Sequence, residues 1–519
     1  MTEPSSSPSS SSQTSVRRAG HSRGLHEGRL PVWANAGDVV VLILLYLLFI
    51  GGFLHLGYRN DTTAWGAASL CCGLLGAWAA TGLWIGRWGP PPMKQARYLL
   101  VFLGVVLGWT LLQQVPLPAM VVRAISPVWN QTFEAMEGSG LETPSAVPLA
   151  YAPEKAWRAW NELLASVFLL AAVLLVAQRR RSSRALIGLV VLSSLAEGVM
   201  AAWSYYHGTP DGRARGSFVN PNNTGTFIIS GVPLALAYMQ TWGEYHRRRG
   251  RGGLFSGTNP AIFALLPIIV AMLGWVATKS RASLFFGGTV LVCWIALEWL
   301  KSRGTQAAVK QEEAEEGSWE SFARQLPSGR RHKKKRSFSF HPAVMASVLA
   351  VLLLGGATAF QLHQAQTRPE ESPAGRLLLS YATLRGLPES YFLGYGLRGA
   401  EPVMNRFYTL PTEKAPVYSH NEYVQWFSEL GVPGSVLALG ALALFLRAQW
   451  RQMRSVARRY SWRVRLFQRA AWAGVVMTLL HSVVEFPLRL PLYSFHFLVM
   501  LAVAVQAGSI YALRSQRRG

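Results

Sequence analysis

Apolar residues in this chain come in long, nearly unbroken runs. They show neither the stripes of a soluble amphipathic helix nor the alternation of a half-buried strand. Runs of about 17–25 residues, the length that spans a bilayer as helix, fall near 38–56, 64–86, 98–116, 160–177, 185–206, 223–242, 260–278, 282–300, 343–361, 429–446, 467–486 and 491–510. Lipid offers no hydrogen bonds to a bare backbone, and the runs are too long for barrel strands, so each is expected to be a helix. Pro233 and Pro267 lie inside such runs and are expected to mark kinks. The fold class expected is therefore all-α, a polytopic integral membrane protein of about 12 transmembrane helices with one long loop between the ninth and tenth.

The polar stretches divide the chain. Residues 1–37 are rich in Ser and Pro and then basic, with no apolar core ahead of a cleavage site. They are expected to be a disordered cytoplasmic tail rather than a signal peptide. Helices one to eight are expected over 38–300, a charged cytoplasmic loop over 301–341, and the ninth helix over 342–361. An outer loop over 362–428 follows, then the last three helices over 429–510 and a tail at 511–519.

Charge orients this bundle. Arg87, Lys94 and Arg97, Arg179–Arg181, Arg247–Arg249, the tracts around 301–341 and 447–469, and the C-terminal Arg514, Arg517 and Arg518 all fall on one side. By the positive-inside rule that side is cytoplasmic, and both termini lie there. Half of the residues are hydrophobic, 15% are charged, and the formal charge is +25. The topological bias accounts for most of that excess. No aromatic or Gly-rich motif interleaves the basic runs, so nucleic acid is not an expected partner, whereas the bilayer is. The three cysteines, Cys71, Cys72 and Cys293, are placed like neither a disulfide framework nor a zinc site. No His/Asp/Glu cluster at ligand spacing and no phosphate-binding glycine loop is present, so no metal and no cofactor is expected.

Three outer connections keep basic residues against the rule. These are 207–222 with Arg213 and Arg215, the Lys279-Ser-Arg281 turn, and the long loop with Arg368, Arg376, Arg385, Arg398, Arg406 and Lys414. An arginine at a membrane boundary can be a snorkelling anchor only. Arg213, Arg215 and Arg281 gain interest from company, since all three lie near helix ends on the face that also carries His420. Guanidinium forks onto phosphate oxygens, which suits a pyrophosphate at the membrane surface. Asn220, Pro221, Asn222 and Asn223 read as a turn into the next helix, capped by an asparagine, whose first N–H groups could help hold an anion. The connection at 117–159 carries no comparable chemistry and is expected to cap the bilayer surface.

His420 opens the stretch His420-Asn421, nine residues, then Gly431-Val-Pro-Gly434. Imidazole is among the few side chains able to accept a proton at neutral pH, although Ser-His-Asn before a helix can also be a plain cap. Asn421 and Glu422 are its nearest polar neighbours in the chain. His481 and Glu485 are four residues apart in the eleventh run and are expected to form a local hydrogen-bonded pair, with a place in the site as the alternative.

Taken in order, Arg213-x-x-Gly-Ser-Phe-x-Asn-Pro-Asn222, Ser280-Arg281 and His420-Asn421-x9-Gly-x-x-Gly434 resemble the landmarks of the O-antigen ligase / O-antigen polymerase superfamily. Pro116-Leu-Pro118 and Ser126-Pro127 are similar to members of the same group. The resemblance covers about residues 98–500. It implies a multi-helix (GT-C-like) glycosyltransferase of the bacterial inner membrane. Such an enzyme moves glycan from a polyprenyl (undecaprenyl) diphosphate carrier to an acceptor at the periplasmic face, independently of metal. The resemblance assigns Arg213 and Arg281 to the diphosphate, with Arg215 competing for the first role and Arg398, after Gly394-Tyr-Gly396, as a further candidate. His420 would activate the acceptor hydroxyl, supported by Asn220, Asn222, Asn421 and Glu422. Ligation to lipid A-core is the leading reading. Polymerisation on a growing glycan and transfer to a protein hydroxyl differ from it only in the acceptor, and a transporter is the reading from another class. Mid-span charges are few, Glu197 being the clearest, which favours a one-sided site over a conduit.

Overall fold

The computed structural model describes residues 32–55, 62–84, 91–178, 180–248, 265–301, 373–409, 415–459 and 462–506. In chain order the helices are α1 (Val32–Leu54), α2 (Thr62–Trp84), α3 (Pro91–Leu112), α4 (Ala119–Ile125), α5 (Pro127–Gly138), α6 (Pro153–Val176), α7 (Arg180–Tyr206), α8 (Pro221–Arg248) and α9 (Leu265–Ala277). They continue with α10 (Ser283–Lys301), α11 (Pro373–Gly386), α12 (Ala400–Phe407), α13 (Glu422–Arg459), α14 (Trp462–His481) and α15 (Pro491–Gln506). Every apolar run among the described residues is thus helical. Five helical stretches, within α1, α6, α7, α10 and α13, are long and apolar enough to cross a membrane by themselves. The protein is an all-α, multi-pass membrane protein. The run at 343–361, the loop at 302–341, most of the tail at 1–37 and the tail at 511–519 lie outside the described residues. Within the expected tail, helix α1 already begins at Val32.

Helices α7, α8 and α9 pack together, α8 lies on α14, α13 on α3, and α2 on α6, with α15 filling the space between α14 and α6. Apolar side chains gain little from leaving lipid for protein, so close packing and interhelical hydrogen bonds carry this association. A Cβ on Gly274 of α9 would stand 2.2 Å from the Gly198 carbonyl of α7, so these two backbones meet without side chains between them. His496 of α15 bridges the hydroxyls of Ser193 on α7 (3.1 Å) and Ser230 on α8 (3.2 Å).

At one end of the bundle the connections form a small second layer. The 117–159 segment pairs Leu117–Pro118 with Ala146–Val147 in a short antiparallel ladder and adds α4 and α5. It packs onto the long loop, where Val128 joins Tyr395, Ala400 and Val403 in a separate core, and the Tyr395 carbonyl accepts from Tyr151 N–H at 2.9 Å. The segment expected to cap the bilayer surface packs against the long loop.

The two glycines after His420-Asn421 have distinct tasks. Gly431 interrupts α13 at φ 67°, ψ −175°, so the helical stretch before it is separate from the spanning part after it. There the 392–396 loop comes in edge-on, with Val432 N–H donating to Phe392 O at 2.8 Å and Gly396 N–H to Glu429 O at 3.0 Å. A side chain at Gly434 would strike Trp109 of α3, whose Nε1 donates to Leu430 O at 2.7 Å. The spacing locks α13 to α3 and to the long loop, directly behind His420.

A second difference from the sequence reading concerns the eleventh run. Hydropathy carries it to residue 486, but α14 stops at His481, and Ser482–Phe486 turn the chain into a short 3-10 turn at Pro487–Arg489. Two prolines, Pro487 and Pro491, enforce the break and then start α15. Glu485 consequently sits in a loop rather than one helical turn beyond His481.

Candidate functional site

Chain ends from four places converge on the carboxylate of Glu485, which is fully buried. The α7–α8 connection supplies the first set. Asn220 caps α8, its Oδ1 accepting Asn222 N–H at 2.9 Å, with Pro221 at the first helical position, where its missing N–H costs nothing. The Asn223 and Thr224 N–H groups meet the Asn220 carbonyl. The first-turn donors considered for an external anion are thus already used. The two side-chain amides instead donate to the protein's own anion, Asn222 Nδ2 to Glu485 Oε1 at 2.6 Å and Asn220 Nδ2 to Glu485 Oε2 at 3.2 Å.

The second contribution is Arg376 on α11, whose Nη2 donates to Glu485 Oε1 at 2.8 Å and Nη1 to the Val484 carbonyl at 3.1 Å. The third is His420, with Nδ1 at 3.2 Å from Glu485 Oε2. Burial alone would push the Glu485 carboxyl up; the Arg376 guanidinium and His420 more than offset this and hold it at about 2. An ionised carboxylate can only accept, so Nδ1 of His420 is the donor, and in the neutral tautomer that donates from Nδ1 the lone pair is on Nε2. Nε2 has no hydrogen-bond partner among the described residues, and the side chain is 29% exposed.

Local structure holds that imidazole in place. His420 has φ 51°, a left-handed conformation that costs a residue with a Cβ about 1–3 kcal/mol. Neighbours fix it on both sides. Ser419 N–H donates to Gln425 Oε1 at 3.1 Å, Asn421 Oδ1 caps α13 through the Tyr423 and Val424 N–H groups, and Glu422 N–H donates to Ser482 O at 2.9 Å. The ring stands edge-on to Phe486 at 5.0 Å, and Tyr418 stacks on the same phenyl ring at 4.2 Å.

Arg213 joins the network from behind Asn222, its Nη2 donating to Asn222 Oδ1 at 2.7 Å and its Nε to the Thr278 carbonyl at 3.2 Å. That carbonyl ends α9 and lies three residues before Arg281, which sits on the first turn of the next helix. Ser280 caps this turn by accepting Ser283 N–H at 3.3 Å. Arg281 is exposed and has no side-chain hydrogen bond or ion pair among the described residues. Arg215 pairs with Asp211 at 2.8 Å, and the pairing holds the Asp211 carboxyl below its usual range despite partial burial.

Three sequence expectations come out differently. Glu422 does not reach His420; it is buried against Arg489, with Nε of Arg489 at 3.3 Å. Arg398 pairs with Glu162 of α6 at 2.6 Å, in a cavity that Arg489 and Trp426 also line and that lies apart from the Glu485 network. His481 and Glu485 make no local hydrogen bond, and both ring nitrogens of His481 are buried without a partner. Glu485 enters the sequence reading of the site only as the alternative to a pair with His481, and Arg376 does not enter it. Arg376 carried only the signal of being basic on the wrong side, shared with its loop neighbours. Among the described residues no three His, Cys, Asp or Glu side chains gather as metal ligands.

An imidazole oriented by a carboxylate and partly exposed is chemically suited to take a proton from a hydroxyl. Residues 266–439 match the family model described as O-antigen ligase. No curated protein matches the chain. The matched segment contains Arg281, Arg376 and His420, while Arg213, Asn220, Asn222 and Glu485 reach the cluster from outside it. Over residues 266–439, about a third of its length, the chain is thus similar to the O-antigen ligase family.

Proposed function

We propose that this protein transfers glycan from a polyprenyl diphosphate carrier to lipid A-core at the periplasmic face of the bacterial inner membrane, with His420 as general base. The observation that carries this reading is the hydrogen bond from His420 Nδ1 to Glu485, with Nε2 left without a hydrogen-bond partner among the described residues. A carboxylate behind an imidazole fixes the tautomer and stabilises the imidazolium that forms. In the proposed step, Nε2 takes the proton of the acceptor hydroxyl as its oxygen attacks the anomeric carbon of the donor. The bond from that carbon to the phosphate oxygen breaks, and the electron pair leaves with the polyprenyl diphosphate. Arg281, with Arg213 behind it, offsets the charge that grows on that oxygen.

Arg281 is suited to this role by having no side-chain partner among the described residues, and Arg213 by its hydrogen bond to Asn222. Arg215 is committed to Asp211 and Arg398 to Glu162, which leaves them outside the proposed contact with phosphate. The reading needs no metal, so chelation with EDTA should leave the rate unchanged. Membranes from a deletion strain, supplied with the lipid-linked glycan and lipid A-core, test the acceptor. A ladder on lipid A-core in the presence of the protein is the expected result. Lengthening of the lipid-linked glycan with bare lipid A-core would replace the ligase reading by a polymerase.

A further inference from the structure

We infer that Arg376 is a positioning residue that sets the proton affinity of His420 through the Glu485 carboxylate. The inference rests on the reading of His420 as the base. Its ground is the way the charges are shared. Glu485 is fully buried and touches two cationic or protonatable groups from opposite sides, Arg376 on Oε1 and His420 on Oε2. The two asparagine amides that complete its shell are neutral.

The remaining charged and titratable groups near this carboxylate are few. His481 lies four residues earlier, at the end of α14, buried and with neither ring nitrogen hydrogen-bonded among the described residues. Arg213 is one hydrogen bond further away, behind Asn222. Arg489, although four residues from Glu485, is spent on Glu429 at 3.0 Å through both Nη atoms and on Glu422 through Nε. Arg376 is thus the guanidinium in direct contact with the carboxylate on which His420 depends.

Two opposite effects follow. A bare carboxylate against Nδ1 would favour the imidazolium strongly, keeping His420 protonated and idle as a base. A guanidinium on the other oxygen shares that negative charge and lowers the proton affinity of the ring. The second contact, Arg376 Nη1 to the Val484 carbonyl, fixes the guanidinium to the backbone that carries Glu485, so the balance does not depend on a freely moving side chain. Arg376 belongs to α11, whose Ser380 also bonds the Ser419 carbonyl at 3.4 Å, so the same helix touches Glu485 and the residue that precedes His420.

The experiment is the pH profile of kcat/KM for glycan transfer by the purified full chain in nanodiscs, for wild type, Arg376→Ala, Arg376→Lys and Glu485→Gln. The acidic limb should move to higher pH in Arg376→Ala and to lower pH in Glu485→Gln, each by about 1 pH unit. Arg376→Lys, which keeps the charge, should return the limb most of the way. Unfolding of each variant, followed by light scattering on heating, reports folded protein separately from rate. A uniform loss of rate with an unmoved limb would make Arg376 merely structural and overturn the inference. A raised KM for the lipid-linked donor with an unmoved limb would overturn it in favour of direct contact with the diphosphate. A downward shift in Arg376→Ala would overturn it as well. Full activity of His420→Ala would remove the base reading itself, which separates that failure from this one.

Discussion

Two buried charge clusters stand side by side at the loop end of this bundle, and they differ in one respect. Around Arg489, every nitrogen of the guanidinium fork has a carboxylate partner: Nη1 and Nη2 in Glu429, Nε in Glu422, with Trp426 under its plane at 5.3 Å. Its side chain is 7% exposed. Around Glu485 the carboxylate is equally satisfied, but its partner His420 keeps a second nitrogen that nothing in the described protein uses. The first cluster ties α13 to the turn before α15, and its one unpaired oxygen, Glu422 Oε1, is buried. The second is closed on three sides and open on the fourth. Residue types do not separate them, since both contain arginine and glutamate. What separates a clamp from a site is that the polar group left over is within reach of solvent: His420 is 29% exposed and Glu422 2%.

Substitutions can break this comparison. The largest contrast is between His420→Ala and Arg489→Ala. Loss of a general base should cost about 10²–10⁴-fold in rate at normal membrane levels. Loss of Arg489 leaves two buried carboxylates without their cation, about 3–5 kcal/mol of stability, and should show as lost folded protein by detergent-resistant thermal assay. Arg281→Ala comes next, with about 10²–10³-fold lower kcat if it stabilises the leaving diphosphate. Arg281→Lys should recover little of it, because an ammonium does not reproduce the fork. Arg398→Ala sharpens the division further. Its loss of rate should follow its loss of folded yield, and a rate loss at full yield would return Arg398 to the phosphate site.

The smallest effect concerns acid. Glu485 is held at about 2 against an ordinary 4.5, so its ionised form adds stability that is fully present above about 4.5 and lost as pH falls toward 2. Glu485→Gln should flatten that part of the stability curve, measured by unfolding in detergent.

The spans were legible because lipid imposes one secondary structure on any long apolar run, so hydropathy alone located the helices. The landmarks Arg213, Asn220, Asn222, Arg281 and His420 were legible as residues near helix ends on one side. Pairing was not. Glu485 meets His420 across 65 residues, Arg376 meets Glu485 across 109, and Arg398 meets Glu162 across 236. A helical reading of Val483–Phe486 set Glu485 beside His481, since hydropathy does not register the turn that Pro487 imposes. Local spacing likewise offered Glu422 to His420, although the cap at Asn421 sends the next side chain inward to Arg489.

The central claim is that His420 acts as the base of a glycan transfer. The most direct test is the transfer rate of His420→Ala against wild type, both purified, matched for folded protein, and given the same lipid-linked glycan and lipid A-core. The account predicts loss of product with donor binding preserved. Transfer at the wild-type rate would contradict it.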